Sequence, residues 1–407
     1  MSAMPTVFLS EAEQAEIAAW RRKLHAMPEL SGQEAETARE VCAFLASAAP
    51  DRVLSGLGGY GVAAVYQGRE PGPSLLFRSE LDALPIQEIG DIPHRSAQPG
   101  KAHLCGHDGH TAILAALARG LSRNRPARGR VVLMFQPAEE NGAGAAAVVA
   151  DPRFGEIAPD LSFSCHNMPG IPLGRAWLAA GPVTCASRGM RIALSGRTAH
   201  ASQPENGVSP AAALSRLLRA LAALGGGRLP DGEFAMATVT HARMGEPAFG
   251  VAPGDAEVWV TLRTLTDARM RALVAEAEAI ARREAEAGGL QLRIGYDDIF
   301  DTVENAPEAV AHLSRALDAE GVAHDPGELP FRASEDFGRF GQKAPSAMVF
   351  LGAGNMPGLH SPDYDFPDAL IPIASGVFMR TVRNILGARD AALRGRPTRQ
   401  RDGRLEG

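Results

Sequence analysis

The chain has 407 residues, 45% hydrophobic and 22% charged, with a formal net charge of −6 and a pI near 6.0. That length exceeds one ordinary core and implies two or three domains, while the acidic balance excludes nucleic acid and an anionic membrane surface as main partners. No run approaches the roughly 18 apolar residues of a membrane span, the opening MSAMPTVFLSEAEQ lacks a basic segment leading into an apolar one, and Cys42, Cys105, Cys165 and Cys185 are too few for a disulfide scaffold, so a cytoplasmic location is expected.

The first expected element is a helix. Ser10 and Glu13 have capping-box spacing, and Ile17, Trp20 and Leu24 then share one face. A second helix is expected over about 34–48. Apolar runs at 62–66 and 75–77 read as strands, 111–121 as a helix, and 131–135 and 161–165 as buried strands. This alternation predicts an α/β fold: a mixed, mostly parallel sheet with helices on both faces. Such sheets collect their sites at the carboxyl ends of the strands.

From about residue 186 the pattern changes. A strand at 190–194, a helix from Ser209–Pro210 to about Leu224 and strands at 234–242 and 257–263 come first. A helix at 266–287, stopped by Gly288–Gly289, and a strand at 291–296 complete a β-α-β-β-α-β order, that of a ferredoxin-like α+β unit. The expected organisation is a discontinuous catalytic domain, 1–185 and 298–390, with 186–297 inserted as a dimerisation or lid domain. A helix at 307–319, a strand at 348–351 and a helix at 371–386 belong to the first domain. The arginine-rich stretch 391–407 lacks periodicity and is expected to be a disordered tail.

Four segments bear chemistry. His103-Leu104-Cys105-Gly106-His107-Asp108-Gly109-His110 sets three histidines, a cysteine and an aspartate at a helix start. Imidazole and thiolate suit a borderline-soft ion such as Zn²⁺; the plain alternative is a helix terminus capped by Asp108. The run Gln136-Pro137-Ala138-Glu139-Glu140 ends a buried strand in paired carboxylates. Adjacent side chains on extended backbone diverge, so one could hold an ion while the other carries a proton; a solvated strand end is the alternative. Cys165-His166-Asn167 closes another expected strand, and His360 lies in the loop Gly358-Leu359-His360-Ser361 soon after one. Each is weak alone, but a parallel sheet would gather them on one edge.

In order along the chain, WRRKLHAMPELSGQE, LLFRSELDALPIQE, HLCGHDGHTAIL, FQPAEENGAGA, CHNMPGIPLG, SGRTAHASQP, TLRT, FRASEDFG and GLHSPDYDFPD carry a resemblance. They resemble the cocatalytic metalloamidohydrolases: hippurate hydrolase, bacterial N-acyl-amino-acid amidohydrolases and plant auxin-conjugate hydrolases. The likeness runs from about Trp20 to about Phe378. It implies two divalent ions per subunit, Zn²⁺ or Mn²⁺ with Co²⁺ or Ni²⁺ as alternatives, held by Cys105, His107, Glu140, His166 and His360. Glu139 would be general base and acid. His200, in the inserted domain, matches a histidine that stabilises the oxyanion, often at a partner subunit's site. Arg263 would hold the substrate carboxylate and Asn167 would also contact substrate, while Glu80 and Asp82 would lie behind the ligands. A homodimer and a small N-acyl amino acid substrate are implied as well.

Four residues depart from the family pattern: Glu80 for aspartate, Glu205 for histidine, Gly250 for asparagine and Ser361 for asparagine. Three of them lie where substrate would bind, which points to an atypical substrate. Dipeptide or aminoacyl cleavage and N-carbamoyl hydrolysis use the same water attack and stay open. A thiol hydrolase using Cys105 leaves the glutamate pair and His360 without a role. A non-catalytic metal-binding protein leaves Glu139 without one.

Overall fold

The computed structural model describes residues 8–388, so the tail expected at 391–407 lies outside the described residues. Its main sheet runs in the order Arg52–Leu57, Gly61–Gln67, Arg128–Gln136, Glu70–Glu80, Leu161–Pro169, Ser346–Gly354, Ala176–Trp177, His324–Asp325. The four central strands, from Arg128–Gln136 to Ser346–Gly354, are parallel. Arg52–Leu57 and Gly61–Gln67 add antiparallel at one side.

Side-chain alternation explains why the central strands read as unbroken apolar runs. Val131, Leu133 and Phe135 enter a core shared with Ile17, Val41, Leu114, Leu313 and Phe378. These come from the helices Glu11–His25, Ala35–Ser47, His107–Arg123, Pro307–Glu320 and Leu370–Leu386. Val132 and Met134 point the other way, into a core with Val148, Phe337 and Phe340. Helices therefore cover both faces. The capping box is present, with Glu13 N donating to Ser10 Oγ and Ser10 N to Glu13 Oε2.

A second sheet is built from Gly225–Gly226, Ala235–Met244, Asp255–Thr264, Ala186–Ser195 and Gln291–Phe300, in that order and all antiparallel. The helices Ala211–Ala222 and Asp267–Ala287 pack on one face. Leu217, Leu221, Leu273 and Ala277 meet Ile192, Val258, Val260 and Leu262 in a core separate from the first two. Strict alternation along Asp255–Thr264 leaves Glu257, Trp259, Thr261 and Arg263 on the face with no helix.

Two differences from the sequence expectations matter for the site. The helix expected from 111 begins at His107. Gly106 turns the chain into it at φ 94°, and a Cβ there would come within 2.2 Å of Asn167 Oδ1. The strand expected to end at Cys165 runs on to Pro169, so His166 and Asn167 lie inside it. The strand Arg52–Leu57 was not expected. It is an edge strand with only Leu54 and Leu57 buried, which leaves no clean apolar alternation to detect. Among the described residues no helix is long and apolar enough to cross a membrane.

Candidate metal centre

The parallel strands deliver their carboxyl ends to one edge, as such sheets do. Glu80 ends one strand and Asp82 follows it. Glu139 and Glu140 sit in the turn after Gln136, His166 lies near the end of Leu161–Pro169, and His360 follows Gly354. The turn holding the glutamate pair is fixed by two buried carboxylates. Ala138, at φ 51°, donates its N–H to Glu34 Oε1 at 2.7 Å, and Glu140 N donates to Asp82 Oδ2 at 2.9 Å. That backbone is a turn and not an extended strand. The two glutamates therefore face one cavity together, contrary to the divergence expected from strand alternation, because Ala138 reverses the chain first.

Three overlapping groups of donor atoms, each within 4.8 Å, form at this edge: Cys105 with His107 and His166, Cys105 with Glu140 and His360, and His107 with Glu139 and Glu140. Cys105 Sγ lies 3.5 Å from His166 Nε2. His107 Nε2 is 3.8 Å from both Glu139 and Glu140, and His360 Nε2 is 3.6 Å from Glu140 Oε2. The shared cysteine places two donor groups side by side.

The donors are prepared for cations. His107 Nδ1 faces the Asp82 backbone oxygen at 2.9 Å, and His166 Nδ1 faces the Asn167 oxygen at 2.7 Å. In each ring Nδ1 is bonded outward, which leaves Nε2 as the nitrogen facing the cavity. His107 Nε2 and Glu140 Oε1 are buried without a hydrogen-bond partner among the described residues. Both atoms face the donor groups, where an ion would satisfy them. Burial pushes His166 down to about 4 and so keeps it neutral. Burial, then the Glu140 carboxylate, raises the Cys105 thiol well above its usual range. A cation must displace that proton to bind the sulfur. Burial also raises Glu139 well above the carboxylate range, with Glu335, Glu140 and Asp336 adding to it. A soft and hard donor set crowded with carboxylates fits divalent ions such as Zn²⁺ or Mn²⁺.

The remaining sequence candidates fall in distinct places. Asp82 touches His107 and Glu140 and also accepts from Ser31 Oγ at 2.7 Å, so it orients two donors at once. Glu80 lies behind the proposed ligands, its carboxylate grouped with His107 and His110 within 4.8 Å. Its carboxylate pairs with Arg78 and lies 2.6 Å from His110 Nδ1. The extra methylene carries it to the ring behind His166, whose centroid is 4.8 Å from that of His110. Asn167, expected on the substrate, is 2% exposed, and its amide is spent on His110 and Tyr364. Arg263 does line the cavity, hydrogen-bonded to Ser334 Oγ and the Arg332 oxygen. His200 lies outside it, exposed on the strand Ala199–His200 with Nδ1 beside Ser202 Oγ. Asp108 is buried between Arg21 and His25 and does not cap the helix.

Sequence reasoning gave no role to Arg78, Glu335 and Asp336. Arg78 has a fully buried guanidinium paired with Glu80, Glu335 and Asp336, and its Nε donates to Gln136 Oε1 at 2.9 Å. Glu335 also lines the cavity and groups with Glu139 and Asp336. The available signal was a charge directly after the apolar run Leu75–Phe77, because an unpaired charge is not tolerated there. A cavity of about 420 Å³ opens from the donors, walled on its apolar side by Met168, Phe331, Met348 and Phe350.

The model of the peptidase family M20/M25/M40 matches residues 76–384. An N-acetylcysteine deacetylase of Bacillus subtilis (strain 168) is 30% identical over 88% of this chain and 93% of its own length. The hippurate hydrolase of Campylobacter jejuni is 30% identical over 90% and 96%. Among solved structures, the Bacillus subtilis YXEP protein, described as a dinuclear metal binding peptidase of the M20 family, superposes with a TM-score of 0.77 at 28% identity. It covers 93% of this chain and 99% of that one. A putative aminohydrolase from methicillin-resistant Staphylococcus aureus gives a TM-score of 0.82 at 26% identity, over 92% and 97%.

Proposed function

The chain belongs to peptidase family M20/M25/M40, and from that membership we propose that it is a metal-dependent amidohydrolase of N-acyl amino acids. The observation that carries this reading is the pair of donor groups sharing Cys105 next to a buried glutamate, Glu139. Relatives named as a deacetylase and a hippurate hydrolase support the bond type. Cys105, His107, Glu140, His166 and His360 would hold two Zn²⁺ or Mn²⁺ ions. Bound there, the ions would acidify a water and polarise the amide carbonyl.

The chain's own groups do the rest. Glu139 accepts the proton of the attacking water and returns it to the departing amine nitrogen. Its environment suits that exchange, because burial and then the neighbouring Glu335, Glu140 and Asp336 carboxylates favour its conjugate acid. Arg263 pairs with the carboxylate of the amino acid. Met168, Phe331 and Phe350 keep water from the acyl side. We read 1–185 and 298–390 as the catalytic domain and 186–297 as the inserted one, supported by the separate core under the five-stranded sheet.

Chelation should abolish turnover of N-acetyl, N-benzoyl and indole-acyl amino acids. Mn²⁺, Zn²⁺ or Co²⁺ should restore it, with about two ions per chain at full activity. Full activity in metal-free protein would remove the proposal.

His200 donates to the developing oxyanion, and its position outside its own cavity supports delivery to a partner's site in a homodimer. Replacing it with alanine should lower kcat by about 10²–10³-fold while leaving bound metal unchanged. Mixing His200→Ala and Glu139→Gln proteins should then regain up to about a quarter of wild-type activity, since half of the dimers are mixed and each has one complete site. No recovery after verified subunit exchange would rule out the shared site.

A further inference from the structure

The catalytic cavity does not end at Arg263. A second cavity of about 310 Å³ lies on the open face of the five-stranded sheet, and Gly189, Thr261 and Asp298 line both. Register explains the continuity. Gly189 stands opposite Thr261 on one side and Asp297 on the other, and Arg263 and Trp259 flank Thr261 on the same face. From Arg263 to Trp259 is four residues, about 13 Å of strand.

The walls of the second cavity have a definite charge character. Trp259 is 41% exposed, its Nε1 donates to Glu257 Oε1 at 2.6 Å, and its ring already carries the Arg191 guanidinium 5.9 Å from the centroid and the His241 ring at 5.2 Å. Arg191 is already committed, gripping Asp297 through Nε at 2.5 Å and Nη2 at 2.8 Å. Asp298 is different. Its carboxylate has no hydrogen bond or ion pair among the described residues. It stands where the ladder between Gln291–Phe300 and Ala186–Ser195 loses register, at φ 48°. A non-glycine residue costs energy in that conformation. The bulge re-aims a side chain that would otherwise continue the strand's alternation.

We propose that this second cavity is a subsite for a cationic group, an ammonium or guanidinium, carried by the substrate several bonds from the scissile amide. Asp298 pairs with the cation, since an unpaired carboxylate attracts positive charge, and Trp259 walls the far end of the same cavity. An anionic end would meet Asp298 with Arg191 already neutralised. The Asp298 carboxyl is itself raised, by burial and then by Asp297, which a bound cation would relieve. With Arg263 as the anion site, the two cavities read a substrate that is negative at one end and positive at the other. This rests on the amidohydrolase reading and specifies its substrate class.

Two arms of one experiment identify which part of the substrate carries the charge. N-acetyl-lysine is compared with N-acetyl-norleucine for the amino-acid side, and N-(ω-aminohexanoyl)-alanine with N-hexanoyl-alanine for the acyl side. In one arm the cationic member should have the higher kcat/KM by about tenfold, and Asp298→Asn should shrink the ratio of cationic to neutral kcat/KM to about twofold or less. No cationic preference in either arm, or a preference that survives Asp298→Asn, overturns the subsite. Turnover of the neutral substrates reports separately on the amidohydrolase reading. If none is turned over, calorimetric binding of the same pairs to metal-loaded Glu139→Gln protein decides the subsite by the same criterion.

Discussion

Glu139→Gln should cut kcat on N-acyl amino acids by about 10³–10⁴-fold, the upper range for loss of a positioned general base. That corresponds to about 4–5.5 kcal/mol of barrier. Glutamine keeps the shape of the side chain and loses only its ability to take a proton. Both donor groups that include Cys105 are untouched, so metal analysis should find occupancy unchanged. The variant should also be more resistant to heat when stripped of metal. Glu139 is pressed by Glu335, Glu140 and Asp336, and a neutral amide removes that repulsion. Loss of turnover with retained metal and raised stability separates a chemical role from a folding defect. Activity within about threefold of wild type would take the proton-transfer role away from Glu139.

Arg78→Met should destabilise the fold by about 3–5 kcal/mol, because it leaves buried charges without their partner. Total stabilities are about 5–15 kcal/mol, so the effect is large. The methionine fills much of the space, yet Glu80, Glu335 and Asp336 lose their common cation and Gln136 loses a donor. The deficit should depend on pH, and its sign follows from proton binding. Asp336 is pushed up to about 7 by burial, against the opposing pull of Arg78. Without Arg78 the folded state holds that proton more tightly than the unfolded chain does. Stability then falls as pH rises, so the variant should be closest to wild type near pH 5 and furthest from it at pH 8 and above. Urea unfolding of both proteins across that range tests it. A pH-independent difference would mean lost packing, not uncompensated charge, sets the effect.

Arg78 also illustrates where sequence reading stopped. The apolar run before it identified the strand, but the three acids that neutralise it lie at positions 80, 335 and 336, and no local pattern links them. The family resemblance places Glu80, a departure from the usual aspartate, behind a metal ligand. In the fold its carboxylate groups with His107 and His110 and also pairs with Arg78. The glutamate pair was read from strand alternation, whereas the positive φ of Ala138 governs where those side chains go. Asp298 drew no attention at all. Its bulge is invisible in sequence, since nothing in the Gln291–Phe300 segment announces the loss of register.

By itself, the sequence determined the α/β class, the β-α-β-β-α-β segment and the segments rich in metal-binding side chains. These depend on periodicity and on residue chemistry, both of which are local. Only the tertiary structure decided which donors share a cavity, which histidines turn Nε2 to it, and which face of the five-stranded sheet lines it. Those outcomes depend on strand register, turn geometry and side-chain reach between residues hundreds of positions apart. A chain's order states which groups are available, and long-range packing fixes the distances at which charge and lone pairs act.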